Sequence, residues 1–265
     1  MPELTSHTEC STHSDTQGAL YQYVLGLADD ALTLGHRLSE WSSNGPFLEE
    51  DLALSNVALD LIGRARMLYA YAAELEGKGR TEDDLAYLRS EREYRNLLIH
   101  ELPRGDFADT IARQVLVDIY SVLFFDVLTT SRDETLAAIA AKTVKECRYH
   151  QRRHLSWLYR LGDGTPESHA RIQTALENVW GYTEELFQMQ GVDQHLLDQG
   201  VAVDCSALKP EWNRQVDAAL AEATLNRPEN SWEVSGGRNG IHTESLGHLL
   251  AEMQFVQRAY PGLTW

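Results

Sequence analysis

Positive charge is scarce in this chain. Its 265 residues include 23 Lys and Arg against 40 Asp and Glu, a formal charge of −17 at pH 7. That balance excludes the basic stripes needed to displace counterions from nucleic acid or to hold an anionic membrane. Cysteine is rarer: Cys10, Cys147 and Cys205 are odd in number, widely spaced and include no C-x-x-C. They read as reduced thiols, not as a disulfide framework or a zinc site. Long apolar runs are missing, since nothing approaches the roughly 18 residues of a membrane span, and the N-terminus lacks the regions of a signal peptide. These absences predict a soluble cytoplasmic protein with no nucleic-acid and no membrane partner. Strand-type alternation and repeats of solenoid period are also absent. So are G-x-S-x-G and a Rossmann glycine pattern after a strand. Hydrophobic residues nevertheless make up 43% and charged residues 24%, so the acidity is not that of a disordered chain.

What is present is helical periodicity. Residues 1–16 are rich in Ser, Thr and His without apolar spacing and read as a flexible leader, in which Cys10 between His7 and His13 has no fold around it to hold a metal. From Leu20 the apolar residues recur through Val24, Leu27, Ala31, Leu34, Leu38 and Trp41 in steps of four and three, an amphipathic helix. Leu54, Ala58, Leu61, Ala65, Leu68, Ala72 and Leu75 continue the pattern in a second helix, ending at Gly77-Lys78-Gly79. Shorter pieces follow over 83–101. A third long helix carries Ile111, Val115, Val122 and Phe125 on one face. Ser131-x-x-Glu134 predicts a capping box opening a fourth, to about Leu161. Thr165-Pro166 opens a fifth, to about Met189. Further elements are expected near 193–199, 210–224 and 243–259. Four long helices with inward stripes predict one all-α domain over 17–265, a helical bundle with additional C-terminal helices.

Such bundles host di-iron centres built from a Glu on two helices and a Glu-x-x-His on the other two, because that spacing puts both ligands on one face. None of the ten histidines has an acid three residues before it. Carboxylates still occur near the inward stripes: Asp60 in the second helix, Asp118 in the third, and Glu146 with His150 in the fourth. The position three after Asp60 is Gly63 and that after Glu146 is Tyr149, neither a good iron ligand. Asp60, Asp118, Glu146 and His150 therefore read as a buried hydrogen-bonded network, with Arg64, Arg113 or Arg148 as partners. The competing reading is a ferritin-like iron binder or autonomous oxidase of unusual geometry. His150 and His154 read as a helix-surface pair. The loop SGGRNG (235–240) before the last helix lacks the Lys-Ser/Thr of a phosphate loop. The aromatics of the C-terminal third, including Trp180, Trp212, Trp232 and Phe255, read as packing for the outer helices, some of them available to a partner.

Four blocks carry a specific likeness: LALSNVALDLIGRAR (52–66), NLLIHELPRGDFADTIARQ (96–114), AKTVKECRYH (141–150) and GGRNGIHTESLGHLLAEMQ (236–254). With the chain from about residue 20 to the end, they resemble the C subunits of phenylacetyl-CoA 1,2-epoxidase complexes. The resemblance implies a ferritin-like fold without catalytic residues or cofactor of its own. It also implies a partner A subunit that holds the di-iron centre and epoxidises phenylacetyl-CoA in aerobic phenylacetate catabolism. A small B subunit belongs to the complex, and a reductase with FAD and an iron-sulfur cluster brings electrons from NADPH. By position it further implies that Glu93, Tyr94, Arg95 and Asn96, with Gln194, His195 and Leu196, border the CoA ligand.

Overall fold

The computed structural model describes residues 6–263, the side chains of residues 6–15 and of residue 192 excepted. The reading of Cys10 with His7 and His13 lies outside the described side chains. Among the described residues there are ten α-helices and no strand: α1 (Ser6–Ser39), α2 (Leu48–Glu76), α3 (Glu82–Tyr87), α4 (Leu98–Glu101), α5 (Phe107–Leu128), α6 (Glu134–Gly162), α7 (Pro166–Trp180), α8 (Gly191–Asp198), α9 (Cys205–Glu222) and α10 (Glu244–Ala259). The backbone is helical from Ser6, within the segment read from the sequence as a leader.

The ends of these helices follow local chemistry. Gly77 stops α2 in the left-handed region at φ 66°, its N–H donating to Ala73 O. Asp106 opens α5 by accepting from the N–H groups of Ala108 and Asp109. At α6 the cap is Asp133, which accepts from Leu136 N, and not the expected Ser131. The Ser131 hydroxyl donates instead to Val201 O at 2.8 Å, tying the α5–α6 turn to the segment after α8. Thr165 and Pro166 open α7 as expected, but the helix ends at Trp180 rather than near Met189. Gly181 follows in a right-handed conformation, and the Trp232 ring lies over it so closely that a Cβ there would stand 2.1 Å from a ring carbon.

The long helices α1, α2, α5 and α6 form the four-helix bundle, with α1 along α2 and α5 along α6. Their inward stripes meet in one core that includes Val24, Leu38, Leu54, Leu68, Ile111, Leu116, Leu136 and Leu158. Helices α7 and α9 pack on α5, α8 on α1, and α10 on α3 and α4. Trp180 and Trp212 join these outer helices to the bundle, whereas Trp232 and Phe255 are exposed. Trp212 is fully buried, donates from Nε1 to Leu116 O at 3.0 Å, and meets Phe187 edge-on at 5.3 Å. No helix among the described residues is long and apolar enough to cross a membrane.

Candidate functional site

The interior of the bundle, where a ferritin-like protein would carry its metal, is polar in this chain. A cavity of about 40 Å³ is lined by Asp30 of α1, Arg64 of α2, Asp118 of α5, and Cys147 and His150 of α6, with His100 and Arg238 closing one side. Arg64 points inward between Leu61 and Leu68. Its Nη2 donates to Cys147 Sγ at 3.2 Å and its guanidinium lies 4.8 Å from the Phe125 ring centroid, while Nε has no partner. Burial pushes the Cys147 thiol up, although Arg64 beside it pulls the other way.

The three acids and the histidine singled out in the sequence do not form one network. Asp118 is buried and pairs with His154, Oδ2 to Nδ1 at 2.5 Å. Asp60 lies at the α2–α6 seam, its side chain 41% exposed, and meets His150 Nε2 at 2.9 Å. Glu146 is half-buried, with Lys142 3.9 Å from Oε1 and no hydrogen-bond partner for Oε2. Burial raises its pKa, and the Asp60 charge adds to that against Arg64. Of the three arginines considered as partners, Arg113 holds Leu102 O and Arg148 pairs with Asp126 on the surface.

Two expectations need correction. His150 and His154 are not a surface pair; both are buried, at 2% and 0% exposure. Burial lowers the pKa of His150, which outweighs the neighbouring Asp118 and Asp60. Gly63 and Tyr149 do not face the interior, because the i+3 step from Asp60 or from Glu146 leads outward; the inward positions are Arg64, Cys147 and His150. The first helix also supplies buried acids. Asp29 is fully buried against Arg89 and Tyr69, and Asp30 lines the interior cavity.

Asp29 and Asp30 open a second polar layer that sequence spacing did not expose, because its partners come from loops. Asp29 also accepts from Arg95 N at 2.7 Å, and Asp30 accepts from Leu97 N, from Arg238 Nη2 and from His100. Burial alone would raise the Asp30 carboxyl, but Arg238 and His100 outweigh it and hold it at about 2. Glu101 is fully buried and gathers Asn96 Nδ2, His242 Nδ1 and Thr243 N. Glu185 gathers the N–H groups of Leu98, Gly236 and Gly237. Gly237 is required there, since a Cβ would stand 2.1 Å from Asn96 O. The loop 235–240, which lacks the sequence of a phosphate loop, is a structural clasp, and Arg238 is committed to Gly26 O, Arg95 O and Asp30.

Beside this clasp opens a cavity of about 450 Å³ between α1, α5 and α8, lined among others by Tyr23, Arg95, Tyr120, Phe124, Asp193 and Cys205. Of the residues placed by resemblance at a CoA ligand, Arg95 lines it. Tyr94, Asn96 and Leu196 are fully buried elsewhere, the first donating from its hydroxyl to Ala86 O. Glu93 caps the turn at Ser90, and Gln194 and His195 are exposed on α8. Burial pushes the Cys205 thiol up to about 11, so it stays protonated and is no nucleophile at neutral pH.

A di-iron centre does not fit the bundle interior. The Arg64 guanidinium lines the same cavity, and Asp118 and His150 are committed to separate partners, His154 and Asp60. Among the described residues no three His, Cys, Asp or Glu side chains are grouped to hold a metal ion. The molecule is a ferritin-like helical bundle whose centre is filled by its own charged side chains. Residues 5–265 match the family described as phenylacetic acid catabolic protein, and the chain belongs to that family. It is 49% identical over 246 residues to the C subunit of the 1,2-phenylacetyl-CoA epoxidase of Escherichia coli (strain K12), a match covering 93% of this chain and 99% of that relative.

Proposed function

We propose that the chain is a non-catalytic structural subunit of a phenylacetyl-CoA epoxidase, holding a catalytic A subunit that carries the di-iron centre. The observation that carries this reading is Arg64 at the centre of the bundle. A buried cation with an unpartnered Nε repels the Fe²⁺ pair that the fold would otherwise accommodate, so the chemistry belongs to another chain. The small B subunit and a reductase with FAD, an iron-sulfur cluster and NADPH act on the assembly without a cofactor on this chain, in the cytoplasm.

The assembly is tested by coexpression with the A subunit of the same epoxidase. A co-eluting complex on gel filtration, with iron in the A subunit and none in the isolated chain after anaerobic reconstitution, supports the reading. Failure to co-elute, or two irons bound per isolated chain, overturns it in favour of an autonomous oxidase. Contact with the CoA substrate is the narrower part of the proposal, supported by the exposed edge of the Arg95 segment on the 450 Å³ cavity. Arg95→Ala in the assembled complex is expected to raise KM for phenylacetyl-CoA with kcat little changed, and an unaltered KM would remove this chain from the substrate site.

A further inference from the structure

Helix α2 has a face that nothing among the described residues covers. Leu48, Leu52 and Leu59 are 71%, 57% and 64% exposed. With Asn56 and Gly63 they follow one another in steps of four, four, three and four, which keeps them on one side of a helix. The opposite side, Leu54, Val57, Leu61 and Leu68, is the buried one. An apolar stripe of this length left in water marks an interaction surface more often than chance exposure.

Gly63 is the second observation. Glycine within a helix is destabilising relative to alanine because of its backbone freedom, so its presence asks for a reason. Among the described residues there is none: a Cβ at Gly63 would meet nothing within 4 Å. A close approach by a backbone from outside the chain supplies the reason, and its position in register with the leucines says where that approach occurs.

Charge is the third. Four contacts run α2 and α6 antiparallel: Glu50 with Arg153, Asp60 with His150, Arg64 with Cys147, and Met67 with Lys142. They bring the outer side of α6 beside the leucine stripe. That helix carries Lys142, Lys145, Arg148, Arg152, Arg153 and Arg160 against Glu134 and Glu146, within a chain of net charge −17. Lys145 and Arg152 are exposed and make no ion pair among the described residues, and Tyr149 between them is 49% exposed. Arg153 and Arg148 are already paired, with Glu50 and Asp126, and the remaining acids near this face are Glu49, which is exposed, and Asp60 and Glu146, which face His150 and Lys142. A two-fold pairing of this face with a second copy would set α6 cations against α6 cations. An acidic partner meets no such repulsion.

We infer that the outer face of α2 and α6 is the docking surface for an acidic partner subunit, one helix of which crosses α2 at Gly63. This rests on the reading of the chain as an assembly subunit, and it adds the surface and the partner's chemistry.

The test uses the full chain coexpressed with the epoxidase A subunit. Gly63→Leu is expected to leave helicity and Tm of the isolated chain unchanged or higher while weakening the complex at least a hundredfold. The surface variant Lys145→Glu with Arg152→Glu should weaken it at least tenfold, and wild-type affinity should fall as salt rises. Phe255→Ser, on the exposed side of α10, should bind as wild type. If the wild-type chain forms no complex, the proposed function fails. If wild type binds and both the Gly63 and the charge variants bind within twofold of it, the docking surface is overturned. A homodimer of the isolated chain that Gly63→Leu dissociates would overturn it as well, by assigning the face to a second copy.

Discussion

Arg64 of α2 and Cys147 of α6 meet at the centre of the bundle, guanidinium Nη2 to sulfur at 3.2 Å, close to the pair formed by Asp118 and His154. A cation, a neutral thiol and a paired carboxylate thus occupy the space that fold geometry reserves for metal. The relationship separates two kinds of buried charge, and mutation tells them apart.

Asp118→Ala removes the partner of a fully buried histidine whose Nε2 already lacks one. Leaving a buried ring nitrogen without its hydrogen-bond partner costs about 1–3 kcal/mol, and urea denaturation should show that loss. Arg64→Met keeps the volume and removes a charge whose Nε is unpartnered, so its stability should stay within about 1 kcal/mol of wild type or rise. Equal losses in the two variants would mean that Arg64 is as firmly paired as Asp118.

Glu101 ties three segments through Asn96, His242 and Thr243 N. His242 is lowered by burial, yet the Glu101 carboxylate outweighs this and raises its pKa. Glu101→Gln keeps the shape but removes the charge that His242 and the Thr243 N–H share. Hydrogen exchange across residues 236–245 should accelerate at least tenfold while the interior of α5 stays protected. Since a raised histidine stabilises most below its unfolded pKa of about 6.5 and loses that contribution as pH rises through its folded value, the variant should also flatten the stability profile above neutral pH. Unchanged exchange would show that the clasp is held by Glu185 and Arg238 alone.

Acid should loosen the same layer. The Asp30 carboxyl, lowered to about 2 by Arg238 and His100 against its burial, is depressed below its unfolded value. Its stabilisation is present above pH ~4 and disappears as pH falls toward ~2, amounting to about 2 kcal/mol. Asp30→Asn should remove that part of the acid transition in a pH series of urea midpoints, leaving the slope between pH 4 and 2 shallower than in wild type. A slope identical to wild type would assign the transition to other carboxylates.

The helices were legible because their apolar residues recur at helical spacing over many turns, and that signal survives any tertiary context. Thr165-Pro166 marked the start of α7 for the same local reason. The site was less legible. Spacing from Asp60 to Gly63 looked like an emptied ligand position, but one helical face inward from Asp60 is Arg64, and only the packing of α2 against α6 decides between them. Asp29 and Asp30 flank the apolar stripe in the sequence, and nothing local shows that Arg89 and Arg238 from distant loops, with His100 of the short α4, return to bury them. The signal that could have found them is the arginine content of those loops, Arg89, Arg95 and Arg238, beside glycines that permit close backbone approach. Ser131 and Asp133 competed for one cap, and the longer-range bond from Ser131 to Val201 decided it.

Two glycines make opposite predictions from one substitution. Gly162 ends α6 where the chain after α9 passes over it, and a Cβ there would lie 2.1 Å from Ala223 O. The same junction is held by His169 Nδ1 at 2.7 Å and Thr224 Oγ1 at 3.2 Å, both on Gly162 O. A methyl group has nowhere to go unless that junction opens, so Gly162→Ala should cost about 1–3 kcal/mol despite the better helix propensity of alanine. Gly63→Ala meets nothing within 4 Å and should gain about 0.5–1 kcal/mol from reduced backbone freedom. Thermal melts of the isolated chain should therefore move down for the first variant and up for the second. A Gly63→Ala variant that melts below wild type would mean that the outward glycine serves the chain's own fold, and the close crossing inferred at that position would lose its physical basis.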